Sequence, residues 1–218
     1  MKRLIFLLFL FALSSPGKTQ TAADGTMPQF LYPVFSMSTV KMKNGQVQSI
    51  MLNYNIVSEK MVYEKGSDLY DMINTELIDT VYIEYSKFVP YGKIFYEVLL
   101  AAPVAFYAQY AGSVVPPGAP AGYGGTSQVS NTKQLTSVEL STGYYNLKMP
   151  KDYKVNMNPV YWVRIEKNYS AFTNERQFLK LFPDREEELK KFIKENRIKF
   201  SRQDDIVKLA GYYNGIIK

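Results

Sequence analysis

Between Val34 and Ile56 apolar and polar residues alternate on either side of Asn44-Gly45. That dipeptide between alternating runs predicts a β-hairpin, because both central residues of the tight turn need positive φ, which Asn and Gly tolerate best. A two-residue turn sets Met42 opposite Val47 and Val40 opposite Ser49. Beyond Ser49 the apolar phase moves to Ile50, Leu52 and Tyr54, so the pattern also predicts a bulge or a change of face there. Further strands read from 60–64, 80–85 and 94–100, punctuated by Gly66, Pro90 and Gly92. The stretch 68–77 fits a helical face through Leu69, Met72, Ile73 and Leu77 and fits a short strand followed by a turn; the surrounding meander favours the strand.

The apolar run 98–108 is broken by Pro103, which excludes a membrane span and predicts two buried strands joined at 101–103. From 112 to 132 the chain is mostly Gly, Pro, Ser and Ala, and reads as a mobile or disordered loop. Strand patterns resume at 135–140, 144–149 and 160–166, the last with the single tryptophan, Trp162. The remainder is helical. Thr173 or Asn174 can cap a short helix, Pro183 suits a first helical turn, and Ser201 can cap a final helix bearing Ile206, Leu209, Ala210 and Tyr213 on one face. Asp184, Glu186, Glu187 and Glu188 precede Lys190, Lys191 and Lys194, the order that the helix dipole favours. Short helices of this kind need a packing partner, so they are expected against the sheet. The fold class that follows is mainly β with an α+β character: an antiparallel sandwich or partly open barrel over 30–167, with a C-terminal helical hairpin over 170–218 packed on it.

The first twenty residues have a different character. Lys2 and Arg3 precede an apolar stretch from Leu4 to Leu13, followed by Ser14, Ser15, Pro16 and Gly17. This order predicts a secretory signal over 1–20, and the stretch is shorter than the ~20 apolar residues that span a bilayer. The mature chain is expected to start between Ser15 and Asp24 and to carry no transmembrane helix. It is placed outside the cytoplasm: in the periplasm, at the outer membrane or outside the cell. Formal charge falls from +6 to +4 once Lys2 and Arg3 are removed, and the basic residues are interleaved with acids, so no nucleic-acid stripe is present.

The segments Lys43-Asn44-Gly45, Leu52-Asn53-Tyr54-Asn55, Phe95-Tyr96-Glu97-Val98, Tyr123-Gly124-Gly125-Thr126-Ser127-Gln128, and the tail from Leu181-Phe182-Pro183 to Tyr213-Asn214 resemble a family of exported Bacteroidota proteins with no assigned function. The resemblance covers most of the chain after the signal. It implies export and a single domain, and carries over no catalytic residue.

With no histidine and no cysteine, Ser-His-Asp and Cys-His nucleophile systems are excluded, as are zinc sites built on imidazole or thiolate, disulfides and lipid attachment to cysteine. Gly122 to Gly125 lacks the lysine and following helix of a phosphate loop. No cofactor or metal is implied; Asp68, Asp71 and Glu76 do not follow an EF-hand spacing. Carboxylate chemistry survives. A glycosidase needs two carboxyl groups about 5 to 9.5 Å apart, and the candidates are Asp68, Asp71, Asp79, Glu84 and Glu97. Eighteen tyrosines and thirteen phenylalanines are expected mostly in the core or as cross-strand filler, though tyrosines exposed on a sheet can stack on sugars or partner surfaces. Tyr123, alone in the glycine-rich loop, and Gln128 beside it are the expected binding residues. No catalytic residue is assigned. The function expected is a non-catalytic envelope protein that binds a protein or glycan partner through its sheet face or the 112–132 loop; the alternative is a carboxylate-based glycan hydrolase.

Overall fold

The computed structural model describes residues 27–115, 119–121, 125–127 and 154–217. The strands are β1 (Ser36–Met42), β2 (Val47–Asn55), β3 (Lys60–Lys65), β4 (Asp68–Asp71), β5 (Ile78–Ile83), β6 (Ser86–Tyr91), β7 (Ile94–Leu100), β8 (Ala105–Val115), β9 (Ala119–Ala121), β10 (Gly125–Ser127), β11 (Lys154–Ile165) and β12 (Asn168–Phe172); the helices are α1 (Glu175–Lys180), α2 (Glu186–Glu195) and α3 (Gln203–Ile216). Ten strands form one antiparallel sheet in the order β12-β11-β8-β7-β6-β5-β1-β2-β3-β4, while β9 and β10 pair separately. The mainly β, antiparallel reading with a helical C-terminus therefore holds. Among the described residues no helix is long and apolar enough to cross a membrane.

The sheet is rolled without closing. β2 and β8 stand five strands apart, about 24 Å in a flat sheet. Yet the rings of Tyr54 and Tyr110 are 6.2 Å apart, and Gly112 N–H donates to Ile56 O at 2.6 Å. This seam joins the two limbs of the roll. On its inner face lie Leu52, Tyr54, Val81, Phe88, Phe95, Phe106 and Tyr161, all almost fully buried. The three helices pack on the same face, where Phe106 meets Phe172, Phe178, Phe182 and Tyr213 at centroid distances of 6.3–6.5 Å. We call it the helix face.

The first hairpin differs from expectation in one respect, and the difference removes a second. Met42 N–H bonds to Gln46 O, Gly45 N–H bonds to Met42 O, and Gly45 has φ of 89°. The turn thus has three residues and ends in a left-handed glycine, a common hairpin solution. Lys41 now faces Val47 and Val40 faces Gln48. That one-residue shift puts Ile50, Leu52 and Tyr54 in phase with Val40, so no bulge is needed at Ser49. The irregularity lies instead between β1 and β5, at Lys41/Met42.

Other segments extend or correct the sequence pattern. Residues 68–77 form β4 and a 3₁₀ turn at Thr75–Leu77. Residues 112–115, expected in a loop, complete β8, where Gly112 pairs with Met157 and Val115 with Lys154. Pro159 is tolerated in β11 because β12 pairs only with residues 161–165, so that among the described residues this half of the strand is an edge. The strand patterns at 135–140 and 144–149, and the expected signal at 1–20, lie outside the described residues. Asn174 caps α1 through Gln177 N–H, as its position predicts. Ser201 does not cap α3. Arg202 holds that position, and the side chain of Asp205 turns back to accept from Lys199 N–H at 3.0 Å.

Three buried asparagines tie the irregular segments to this frame. Asn53 accepts from Tyr32 N–H and donates to Tyr32 O and Val34 O, holding residues 27–35 against β2. Asn55 accepts from the N–H groups of Val57 and Ser58 and shapes the β2–β3 turn. Asn214 on α3 accepts from Val104 N–H at 3.0 Å and donates to Ala102 O and Val104 O, anchoring the β7–β8 connection. Each satisfies backbone groups that would otherwise be buried unpaired.

Candidate functional site

Tyr123 and Gln128 lie outside the described residues. The expected binding loop begins inside β8, since Ser113 pairs with Asn156 and Val114 with Val155.

The five carboxylate candidates have different surroundings. Asp71 accepts from Lys60 Nζ at 2.8 Å, and Asp79 lies 3.7 Å from Lys41 Nζ. Asp68 opens β4, where Ser67 Oγ lies 3.5 Å from its carboxylate, and Glu84 occupies the β5–β6 turn with φ of 51°. Among the described residues no three acidic side chains gather in a form that could hold a metal ion. Glu97 is the exception in burial, at 7% exposure on the helix face. Ser86 Oγ donates to its Oε1 at 2.6 Å, Gln203 Nε2 donates to its Oε2 at 3.2 Å, and the Tyr110 hydroxyl donates to the same oxygen. Burial, followed by the nearby Glu97 charge, drives the Tyr110 hydroxyl well above the usual phenol range. The same two causes push Tyr161 up to about 12. The carboxylate is thus an acceptor enclosed by neutral donors, and it ties the first residue of α3 to the sheet.

The opposite face, which no helix covers among the described residues and which we call the open face, carries a second cluster. Tyr91 on β6, Tyr96 on β7, Tyr107 on β8, Trp162 on β11 and Tyr169 on β12 supply one ring from each of five neighbouring strands. Although β6 and β12 are four strands apart, the Tyr91 and Tyr169 rings lean inward to 5.0 Å. Tyr91 stacks on Tyr96 at 4.8 Å, and Tyr96 on Trp162 at 5.4 Å. Tyr96 and Tyr107 form a buried floor with Val89, Ile94 and Val98 around it. Above that floor Tyr91 is 43% exposed, while Trp162 and Tyr169 are half-buried. Burial raises Tyr96 and Tyr107 to about 12, aided by Tyr91 and Glu59 for the first and by Tyr169 for the second. The phenols of this floor are neutral donors at neutral pH.

A polar relay borders the rings at the seam. Trp162 Nε1–H donates to Gln109 Oε1 at 2.9 Å, and Gln109 Nε2 donates to Glu59 Oε2 at 2.5 Å. Because indole nitrogen only donates, this bond fixes which way the Gln109 amide faces. Glu59 ends the β2–β3 turn with φ of 56°, a conformation that costs energy for any residue but glycine. At the other end of the cluster, Arg164 stands directly across from Tyr169.

None of these open-face residues was singled out for binding from the sequence. A signal was present in Phe95-Tyr96, Phe106-Tyr107 and Tyr161-Trp162, where adjacent aromatics on one strand must point to opposite faces. No family model matches the chain, and no curated protein or solved structure matches it.

Proposed function

We propose that the chain is an exported, non-catalytic envelope protein that binds a glycan on the open face of its sheet. The observation that carries this reading is the partly exposed Tyr91–Trp162–Tyr169 surface with the Gln109–Glu59 pair at its margin. Sugar rings offer C–H faces to aromatic planes and hydroxyls to polar groups beside them, so a few oriented polar atoms next to an aromatic floor suit them. A protein partner would meet the same rings, but it has less use for a fixed amide–carboxylate pair. The basic, apolar, small-residue order of residues 1–20 supports export. The alternative of a carboxylate hydrolase needs two converging carboxyl groups, whereas Glu97 spends its acceptors on Ser86, Tyr110 and Gln203.

Trp162 is the only tryptophan, so its fluorescence reports directly on this surface. Titration with a panel of envelope and plant oligosaccharides is expected to shift that emission. Tyr91→Ala should weaken the response about 2- to 12-fold, the loss of one aromatic contact. Unchanged emission across the panel, with capture of an envelope protein that Tyr91→Ala abolishes, would replace the glycan by a protein partner. Cell fractionation of the full-length chain should find it outside the cytoplasm with a new N-terminus between Ser15 and Asp24.

A further inference from the structure

The relay at the seam carries more than its own stability requires. Gln109 Oε1 is occupied by Trp162 and one Nε2 hydrogen by Glu59, which leaves the second Nε2 hydrogen without an acceptor among the described residues. Glu59 Oε1 makes no hydrogen bond among the described residues, and the side chain is half-buried, so this oxygen is free to accept. A free donor and a free acceptor thus sit side by side on two groups already bonded to each other. Two hydroxyls on adjacent sugar carbons match that pair, one donating to the carboxylate and the other accepting from the amide. The bond to a charged acceptor is the stronger of the two.

Position and charge then define which sugar. Arg164 faces Ala105 across β8, four residues along that strand from Gln109, which is about 13 Å. Its charge belongs to the far end of the aromatic cluster. At the near end stands Glu59, which has no ion-pair partner among the described residues and which adds, after burial and Tyr91, to the raising of the Tyr96 phenol. A uronic acid unit there would bring two carboxylates together in a partly desolvated site, which is unfavourable. We propose, resting on the glycan reading above, that Glu59 and Gln109 form the polar end of the site and select a neutral sugar unit bearing two adjacent hydroxyls.

The test uses two probes on the intact mature protein, a β-linked glucose tetramer and the corresponding glucuronic acid tetramer, read by Trp162 emission and calorimetry. The wild type should bind the neutral tetramer and bind the acidic one at least tenfold more weakly. Glu59→Gln should weaken the neutral probe about tenfold or more and narrow the gap between the two. Unfolding in urea is followed for each protein, so that a folding defect is separated from a binding defect. Wild-type binding of the neutral probe that Glu59→Gln leaves unchanged, or tighter binding of the acidic probe, would overturn this assignment while leaving the aromatic site standing. Binding of neither probe, with no glycan in the wider panel moving the emission, would overturn the glycan reading and this inference with it.

Discussion

Gly112 sits where the rolled sheet meets itself, and it is a glycine for reasons of space. A Cβ there would lie 2.9 Å from Ile56 Cγ1 and 3.0 Å from Val155 Cγ1. Neither atom is the free end of a long side chain, and Ile56 is 4% exposed. Relief must come from moving β2 away from β8, which lengthens the 2.6 Å bond from Gly112 N–H to Ile56 O. Overpacking of this kind costs about 1–3 kcal/mol. Gly112→Ala is accordingly expected to lose that amount in urea unfolding, with Trp162 emission as the probe. Opening the seam also separates Glu59 from Gln109, so the emission of the folded state should change before unfolding begins. The mechanism has its own control. Ile56→Ala alone should cost about 2–5 kcal/mol as a cavity, but in the Gly112→Ala background it removes the clashing atom. The pair should then be less damaging than the sum by about 1 kcal/mol or more. A loss under about 0.5 kcal/mol for Gly112→Ala, or strict additivity of the pair, would refute the argument that close approach governs this position.

Two further outcomes follow from buried polar groups. Asn214→Ala leaves Val104 N–H and the carbonyls of Ala102 and Val104 without their partner, and should cost at least about 2 kcal/mol in urea unfolding; a change within 0.5 kcal/mol, at about the level of a surface substitution, would mean that the connection is held by other contacts. Tyr32, Tyr96, Tyr107 and Tyr161 are each raised to about 12, chiefly by burial, whereas phenols of the unfolded chain ionise near 10. The native state therefore holds protons that the unfolded state releases between pH 10 and 12. Stability should be unaffected by these groups below pH 10 and fall as pH rises through 12, with tyrosinate absorbance appearing together with unfolding. Titration of every tyrosine near pH 10 in a still-folded chain would contradict the burial.

Much of the sheet was legible because its strands alternate and its turns carry glycine, proline or asparagine. What escaped was information held between strands. Asn44-Gly45 marked the hairpin, but its three-residue turn depends on Met42 N–H donating to Gln46 O, and that bond fixes the register. The apolar phase after Ser49 looked like a bulge only because the turn was counted one residue short. Residues 112–115 have loop composition, yet β11 gives them ladder partners about forty positions away. Ser201 has the chemistry of a cap, but Asp205 instead ties down Lys199 N–H and Arg202 takes the capping position. The site was less legible than the fold. Glu59, Gln109 and Trp162 belong to three separate elements, and only the rolling of the sheet brings them together.

The adjacent aromatic pairs explain why such a surface exists at all. Phe95, Phe106 and Tyr161 feed the helix face, where α1, α2 and α3 cover them. Their neighbours Tyr96, Tyr107 and Trp162 must face the other way. A sheet that only needed to shield that second face could have ended with the buried floor of Tyr96 and Tyr107 among aliphatic neighbours. Instead Tyr91 reaches across from β6 and remains 43% exposed, and the indole N–H is spent on orienting an amide at the seam. Shielding accounts for the floor. It leaves an oriented, hydrogen-bonded amide and carboxylate beside an exposed ring, the combination on which the proposed recognition of a glycan rests.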